Sequence, residues 1–419
     1  MVEKRYEWSN GAVLEEHSRR KHKILREYFF RYLVVRCQLP QQNWFRLAVV
    51  DGFAGGGRYQ CGAAGSPVIF VEELKRAIEA VNLHRATQGL GVIEVECLLV
   101  LNDHSADAFD TLKANLAPLL GEIAETCPRL HLRTEYFNDS FEAVYPTIQT
   151  LLEAGRYRNV VFNLDQCGHS HVDRRTLVDI MRTYPSVEIF YTFAVKSLIT
   201  FLQKADPALL AAGLRHLDMR AADLDNLNGA MSKRSWLGAA ERIVFEAFRT
   251  CAPFVSPFSI NNPEGWRYWL IHFANSYRAR QVYNNILHAN SSVQAHFGRS
   301  GLNMLSYDPS HDNGSLYLFD VSGRQQAIGQ LLEDIPRVVA ESGDAIEVGE
   351  FYESIYNATP AHTDDVHRAI IDNPDIEVVT PGGGERRKAN TIAVGDVLKL
   401  KRQRSFFPMF LSAGNPGKP

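Results

Sequence analysis

Short apolar runs alternate with longer amphipathic stretches through the first two hundred residues, and this alternation predicts most of the architecture. Residues 12–36 carry Leu14, His17, Ile24, Leu25, Tyr28, Phe29, Tyr32 and Leu33 at helical spacing. The opposite face holds Arg19, Arg20, Lys21, Lys23 and Arg26, most simply read as a solvated face, with Lys23 a candidate for nucleic-acid contact. A first strand is expected at 46–51. Ser66-Pro67 then opens a helix to about Ala86, with Ser66 as N-cap and Pro67 at the first helical position. Cys97–Leu101, Leu130–Phe137, Asn159–Leu164 and Val187–Phe193 read as further strands. The helices between them run from Ser105 to about Leu120, through about Glu153, and from Val172 to Tyr184. Strands alternating with helices of this length predict a doubly wound, mainly parallel α/β sheet, whose ligands sit at the carboxyl ends of its strands.

Beyond this the pattern loosens. Residues 197–250 read as a polar helical insertion, Trp266–Ile271 and Ser315–Phe319 as strands, and Ser276–Ala289 and Arg324–Ser342 as helices. A boundary is expected near 340–345, dividing a main domain (1–340) from a smaller one (345–410), with 411–419 a disordered tail. Helices at 346–357 and 363–372, then strands at 375–380 and 391–400 flanking Pro381–Lys388, have the outline of a winged helix-turn-helix.

Composition narrows the class. Apolar content of 45% and charged content of 22% are globular values. The net charge of −3 announces no overall nucleic-acid binder, so any basic surface must be local. One such surface exists. From Pro381 onward, eight Lys and Arg stand against two acids, with Arg386, Arg387 and Lys388 adjacent after three glycines. Such a hairpin suits phosphate contacts, although a charged hairpin is also at home in solvent. The six cysteines are scattered without a Cys-x-x-Cys pair, which speaks against a zinc ribbon or disulfide framework and for a reducing compartment. The polar opening, Met1 to Asn10, leads us to expect no signal peptide, and no apolar stretch approaches a membrane span, so a cytoplasmic protein is expected.

The densest chemistry lies at Val49-Val50-Asp51-Gly52-Phe53-Ala54-Gly55-Gly56-Gly57-Arg58-Tyr59. Gly55 and Gly57 would let a ligand approach the backbone closely, with Phe53 and Ala54 against it. A carboxylate at the loop entrance suits a ligand with a cationic end, and S-adenosylmethionine carries an ammonium and a sulfonium. The glycines do not fit G-x-G-x-x-G, and no helix follows the loop directly, which disfavours a nicotinamide cofactor. Asp103 closes the second strand, where a carboxylate would accept ribose hydroxyls, or it is an ordinary strand-end turn. Asp139 closes the third, where it would meet the adenine amino group or cap the next helix. Asn163 and Asp165 end the fourth. Amino methyltransferases place Asn or Asp before Pro-Pro-aromatic at this point. Here Asp165 stands without the prolines and the aromatic, so it would act as a proton acceptor or only shape the pocket. Cys167 lacks the Pro-Cys context of a pyrimidine-methylating nucleophile, and His169 and His171 lack metal-ligand spacing.

These residues resemble the three-Cys-motif partner proteins of bacteria and their mobile elements. The similarity rests on Val49 to Tyr59, on Gly65-Ser66-Pro67, and on Lys23-Ile24-Leu25 followed by Tyr28. The strand Trp266–Phe273 and the basic end are also similar, whereas Asp165-Gln166-Cys167-Gly168 departs from the family's Asp-Pro-Phe-Gly. The resemblance implies a Rossmann-like, class I methyltransferase fold using S-adenosylmethionine, alongside a partner protein with a three-cysteine motif. A nucleic acid is the expected acceptor. The alternative is a catalytically degenerate subunit that uses the same fold to bind nucleic acid or a partner.

Overall fold

A computed structural model describes Trp8 and residues 11–168, 170–194, 215–219, 244–261, 267–290, 294–297, 316–318 and 321–401. His169, most of the 197–250 insertion and the tail 411–419 lie outside the described residues. The chain begins with helix α1 (Glu16–Arg36), then β1 (Trp44–Asp51), α2 (Ser66–Thr87), β2 (Glu94–Asn102), α3 (Ala106–Thr126) and β3 (Leu130–Phe137). It continues with α4 (Phe141–Ala154), β4 (Asn159–Leu164), α5 (Arg174–Thr183) and β5 (Ser186–Phe193). Next come β6 (Phe254–Asn261), β7 (Arg267–Ala274), α6 (Tyr277–Ala289), β8 (Gln294–Phe297) and β9 (Leu316–Leu318). Residues 244–249 are also helical.

These nine strands form one sheet in the order β3-β2-β1-β4-β5-β7-β6-β8-β9. The first five pair in parallel, while β7 runs antiparallel to both β5 and β6. The order fits a doubly wound, Rossmann-like fold. Its logic is visible in β1, where successive side chains point to opposite faces. Leu47 and Val49 join the core under α1, α2 and α3, whereas Ala48 and Val50 join the core under α4 and α5. All four are fully buried, so the strand reads as a continuous apolar run. The chain turns from one side of the sheet to the other between β1 and β4, which makes their carboxyl ends the topological switch point where ligands bind.

The C-terminal elements are α7 (Val321–Glu341), β10 (Ala345–Glu347), α8 (Val348–Ile355), α9 (Thr363–Asp372), β11 (Ile376–Val379) and β12 (Val397–Leu400). The strands form an antiparallel sheet in the order β10-β12-β11. Leu331, Ile335 and Val339 of α7 share a core with Phe351, Ile355, Val366, Ile370, Val378 and Leu398. Helix α7, which the expected boundary at 340–345 leaves with the main domain, therefore packs as the first helix of this unit. Arg324 on α7 clamps Asp365 on α9 through two hydrogen bonds of 2.8 and 2.6 Å. Buried Arg280 and Asn284 of α6 donate to the Tyr356, Thr359 and Ala361 carbonyls, which fastens the unit to the sheet.

Several sequence expectations move by a few residues, each for a physical reason. Helix α1 starts at Glu16 rather than residue 12, because Gly11 turns with φ +79° and the Ala12 carbonyl bonds to the Gln60 amide. Gly65, not Ser66, is the N-cap of α2, and Ser66 is its first helical residue. Strand β6 has no counterpart among the expected elements, because Pro257 interrupts its apolar pattern. The strand expected at 391–400 is confined to Val397–Leu400, after a short 3-10 turn at Ala389–Thr391. Among the described residues, no helix is long and apolar enough to cross a membrane.

Candidate active site

Asp51 is the last residue of β1 and stands in register with Asn163 of β4, across the switch point. It is fully buried. Its Oδ1 accepts a 3.0 Å hydrogen bond from Asn163 Nδ2. Its Oδ2 meets no donor in good hydrogen-bonding geometry, although the Ser66 hydroxyl and the Phe53 amide lie close enough to the carboxyl to stabilise its charge. Burial pushes the carboxyl up to about 7; Ser66 and Asn163 oppose the rise and the charge of Asp165 adds to it. A buried carboxyl with one oxygen only weakly satisfied, poised between its two protonation states, is costly for a structural residue and suited to a cationic ligand.

The glycine loop is tied to the strand ends rather than left open. The Ala54 amide bonds to the Asn102 carbonyl at 2.8 Å, and the Gly52 and Asp139 carbonyls accept from the Asn102 side chain, each at 3.0 Å. Gly55 donates its amide to Asp103 Oδ2 at 2.8 Å, and Asp103 Oδ1 accepts from the Ser105 amide. Burial raises Asp103 above the usual carboxylate range despite both amides. Its oxygens retain lone pairs for a further donor. Gly55 and Gly57 adopt φ +59° and +81°, which the loop's path requires. The close approach expected for a ligand at Gly55 is taken up by the indole of Trp8. A Cβ on Gly55 or Gly56 would lie 2.5 Å from that ring. Phe53 faces Phe141 and His171, and Ala54 is buried. Asp139 is exposed and its Oδ1 accepts from the adjacent Ser140 amide; Ser140 is the N-cap of α4, and no side chain caps that helix.

Asp165 departs most from expectation. It forms an ion pair with Lys21 of α1. Burial alone would raise its carboxyl, but the Lys21 ammonium outweighs burial and holds it below the ordinary range. Lys21 is 7% exposed, so the cationic face of α1 is not simply solvated. Arg26 on that face also pairs internally, with Glu72 and Glu73 of α2, both at 2.7 Å. Lys23 and Arg19 fit the expected picture, both exposed and near acids of their own helix, Glu27 at 3.9 Å and Glu16 at 3.6 Å. The buried side of α1 changes character along its length. His17, Ser18, Lys21 and His22 lie toward the strand ends, and Ile24, Leu25, Tyr28, Phe29, Tyr32 and Leu33 toward the sheet interior. His22 is buried and held neutral, its pKa lowered to about 4 by desolvation, and its Nδ1 has no hydrogen-bond partner among the described residues. Its ring centroid is 5.6 Å from that of Tyr59, the last residue of the loop motif, and His17 stacks on Tyr268 at 4.3 Å. The signal in the sequence is the polar set at 17, 18, 21 and 22, one helical face interrupting an apolar stripe.

Gln166 and Cys167 turn elsewhere. Gln166 is buried and ties Tyr191 to the His171 amide, and Cys167 is exposed. A cavity of about 230 Å³ lies at the opposite end of the sheet, between α1, α6 and the start of β5. It is remote from the strand ends that carry this chemistry.

The basic hairpin is also partly internal. Arg386 makes two hydrogen bonds, 3.0 and 3.3 Å, to the fully buried Asp396, so its guanidinium pins the hairpin and is not free to clamp a phosphate. Arg387 is 83% exposed beside Glu385, and Lys388 is exposed.

No family model matches the chain, including any for three-Cys-motif partner proteins, and no curated protein matches it. Among solved structures it is similar to one assigned as an O-methyltransferase from Klebsiella pneumoniae. The two share 13% identity over 63% of this chain and 92% of that one, with a TM-score of 0.25. It is also similar to loganic acid methyltransferase with SAH, at 10% identity over 94% and 99% of the respective chains and a TM-score of 0.22. The fold assignment rests on the strand order and register above.

Proposed function

We propose that the protein binds S-adenosylmethionine at the β1/β4 switch point and transfers its methyl group. The observation that carries this reading is Asp51, a buried carboxyl with one oxygen only weakly satisfied, placed where a doubly wound sheet receives its ligand. The residues fit the cofactor. Asp51 would face the ammonium, Asp103 would accept from ribose hydroxyls, and Asn163 would fix the Asp51 carboxyl. When bound, the cofactor supplies an electrophilic methyl group, and the chain's contribution is to position the acceptor against it. Calorimetric titration with S-adenosylmethionine, with NADH as the control, tests the reading. Binding of the former that is lost in Asp51→Ala is expected; indifference to both ligands would refute it.

The C-terminal unit would be a winged-helix module that brings a nucleic acid, or the three-Cys-motif partner, to this site. Its second helix in sequence after β10, α9, would be the one offered to a groove. That helix exposes Asp364, Arg368 and Asp372, so acids outnumber its one exposed cation. Phosphate contact would therefore fall to the hairpin, through Arg387 and Lys388. The second reading, a binding subunit without transferase activity, is favoured by one observation: Asp165 is paired with Lys21 and so is a poor proton acceptor. Transfer of labelled methyl groups to DNA, RNA or protein in a cell extract separates the two.

A further inference from the structure

We propose that His22, carried by α1, is the proton acceptor of this site, and that the methyl acceptor is a neutral group bearing an exchangeable O–H or N–H proton. The proposal rests on the cofactor reading above and names the acceptor's chemistry.

Asp165 and His22 both stand near the end of β4, and the geometry separates them. Asp165 is engaged by the Lys21 ammonium, so its basicity is spent on an ion pair. His22 is the next residue on the same helix. It is 8% exposed, and its Nδ1 is buried without a partner among the described residues. A buried imidazole nitrogen left without a partner is costly unless something else satisfies it. It stands between the glycine loop, through Tyr59, and the end of β4, through Asp165, the two segments that border the proposed site.

The charges facing His22 are those of Asp165, Lys21, Arg26 and His17, and only Asp165 favours the imidazolium. The ring is therefore neutral, with a lone pair available, across the physiological range. In the transfer the acceptor gains a methyl group and gives up one proton, and the cofactor leaves as a neutral thioether. The proton goes to the imidazole, beside the Asp165 carboxylate. Burial, Lys21 and Arg26 disfavour the imidazolium and make the ring a weak base, so it relays the proton to water and does not retain it. A carboxylate acceptor has no proton to lose, so it would make His22 dispensable. Lys21 is a positioning residue that keeps Asp165 ionised.

The test uses the full chain and sinefungin, which carries an ammonium where S-adenosylmethionine carries its methyl group. The His22 Cε1–H resonance, assigned by its loss in His22→Gln, is followed by NMR against pH. It should report a neutral ring down to about pH 5 and shift when sinefungin binds. A resonance titrating near 6.5, or one unmoved by sinefungin that calorimetry shows to be bound, overturns the proposal. Failure of sinefungin and S-adenosylmethionine to bind at all would instead overturn the cofactor reading. In methyl transfer from labelled cofactor, His22→Gln should lose on the order of 10²-fold with cofactor affinity unchanged. Full retention of transfer in that variant refutes the role.

Discussion

Replacing Asp51 by Asn should stabilise the protein while removing its ligand. The folded carboxyl has its pKa raised from 3.8 to about 7. For an acid raised in this way, the unfolded chain ionises first as pH rises. Stability therefore falls between about pH 4 and pH 7 and stays low above that window. Three units at about 1.4 kcal/mol each set a ceiling of roughly 4 kcal/mol on the penalty at pH 8. Asparagine removes the penalty and can still accept from Asn163 through its carbonyl oxygen. Its amide would face the Ser66 hydroxyl, which can accept, and the Phe53 amide, which cannot, so about 1–2 kcal/mol is returned. The expected net gain is about 1–3 kcal/mol at pH 8, smaller by about 2–3 kcal/mol at pH 5, read from urea unfolding of both proteins. Saturating S-adenosylmethionine should raise the wild-type midpoint and leave that of the variant unmoved. A variant less stable than wild type at pH 8, or a difference independent of pH, would refute the account of Asp51 as a carboxyl kept in a hostile place for a cation.

Three further outcomes are expected. Binding of a cationic ligand beside Asp51 should lower its pKa and release roughly half a proton at pH 7; calorimetry in buffers of different ionisation enthalpy measures this, and proton uptake would contradict it. Lys21→Met should cost about 3–5 kcal/mol, because it strands Asp165, and Lys21→Met with Asp165→Asn should recover most of the loss. The folded Asp165 pKa is depressed, so this contribution is present above the unfolded carboxylate range and lost as pH falls through the folded value; a single-variant cost under about 1 kcal/mol would mark the pair as a surface one. Arg386→Ala should loosen the hairpin by about 2 kcal/mol by leaving Asp396 unpaired, whereas Arg387→Ala with Lys388→Ala should leave stability within about 0.5 kcal/mol and lower the salt slope of nucleic-acid binding by about 1 for each phosphate no longer neutralised; the opposite pattern would reverse the assignment of pin and clamp.

The difference between what the sequence disclosed and what it concealed follows from the range of the interactions. Asp51 and Asp103 are legible because each stands at the end of a largely buried strand, a signal contained within about eight residues. A parallel sheet brings such ends together whatever the helices do. Lys21 is not legible, because its partner Asp165 lies 144 residues away and amphipathic periodicity records only burial by apolar side chains. A buried lysine and histidine look like solvated ones until the partner is known. Arg386 misleads for the complementary reason: composition counts a cation without asking whether an acid ten residues on already holds it. Both departures run in the same direction. In each, a charge that periodicity or composition assigns to solvent is turned inward by the fold, and a charge turned inward must be paired or must serve a ligand. By that criterion Arg386 and Lys21 are accounted for by Asp396 and Asp165. Among the described residues, Asp51 Oδ2 and His22 Nδ1 lack a hydrogen bond of good geometry, so both are groups whose burial a bound ligand would offset further.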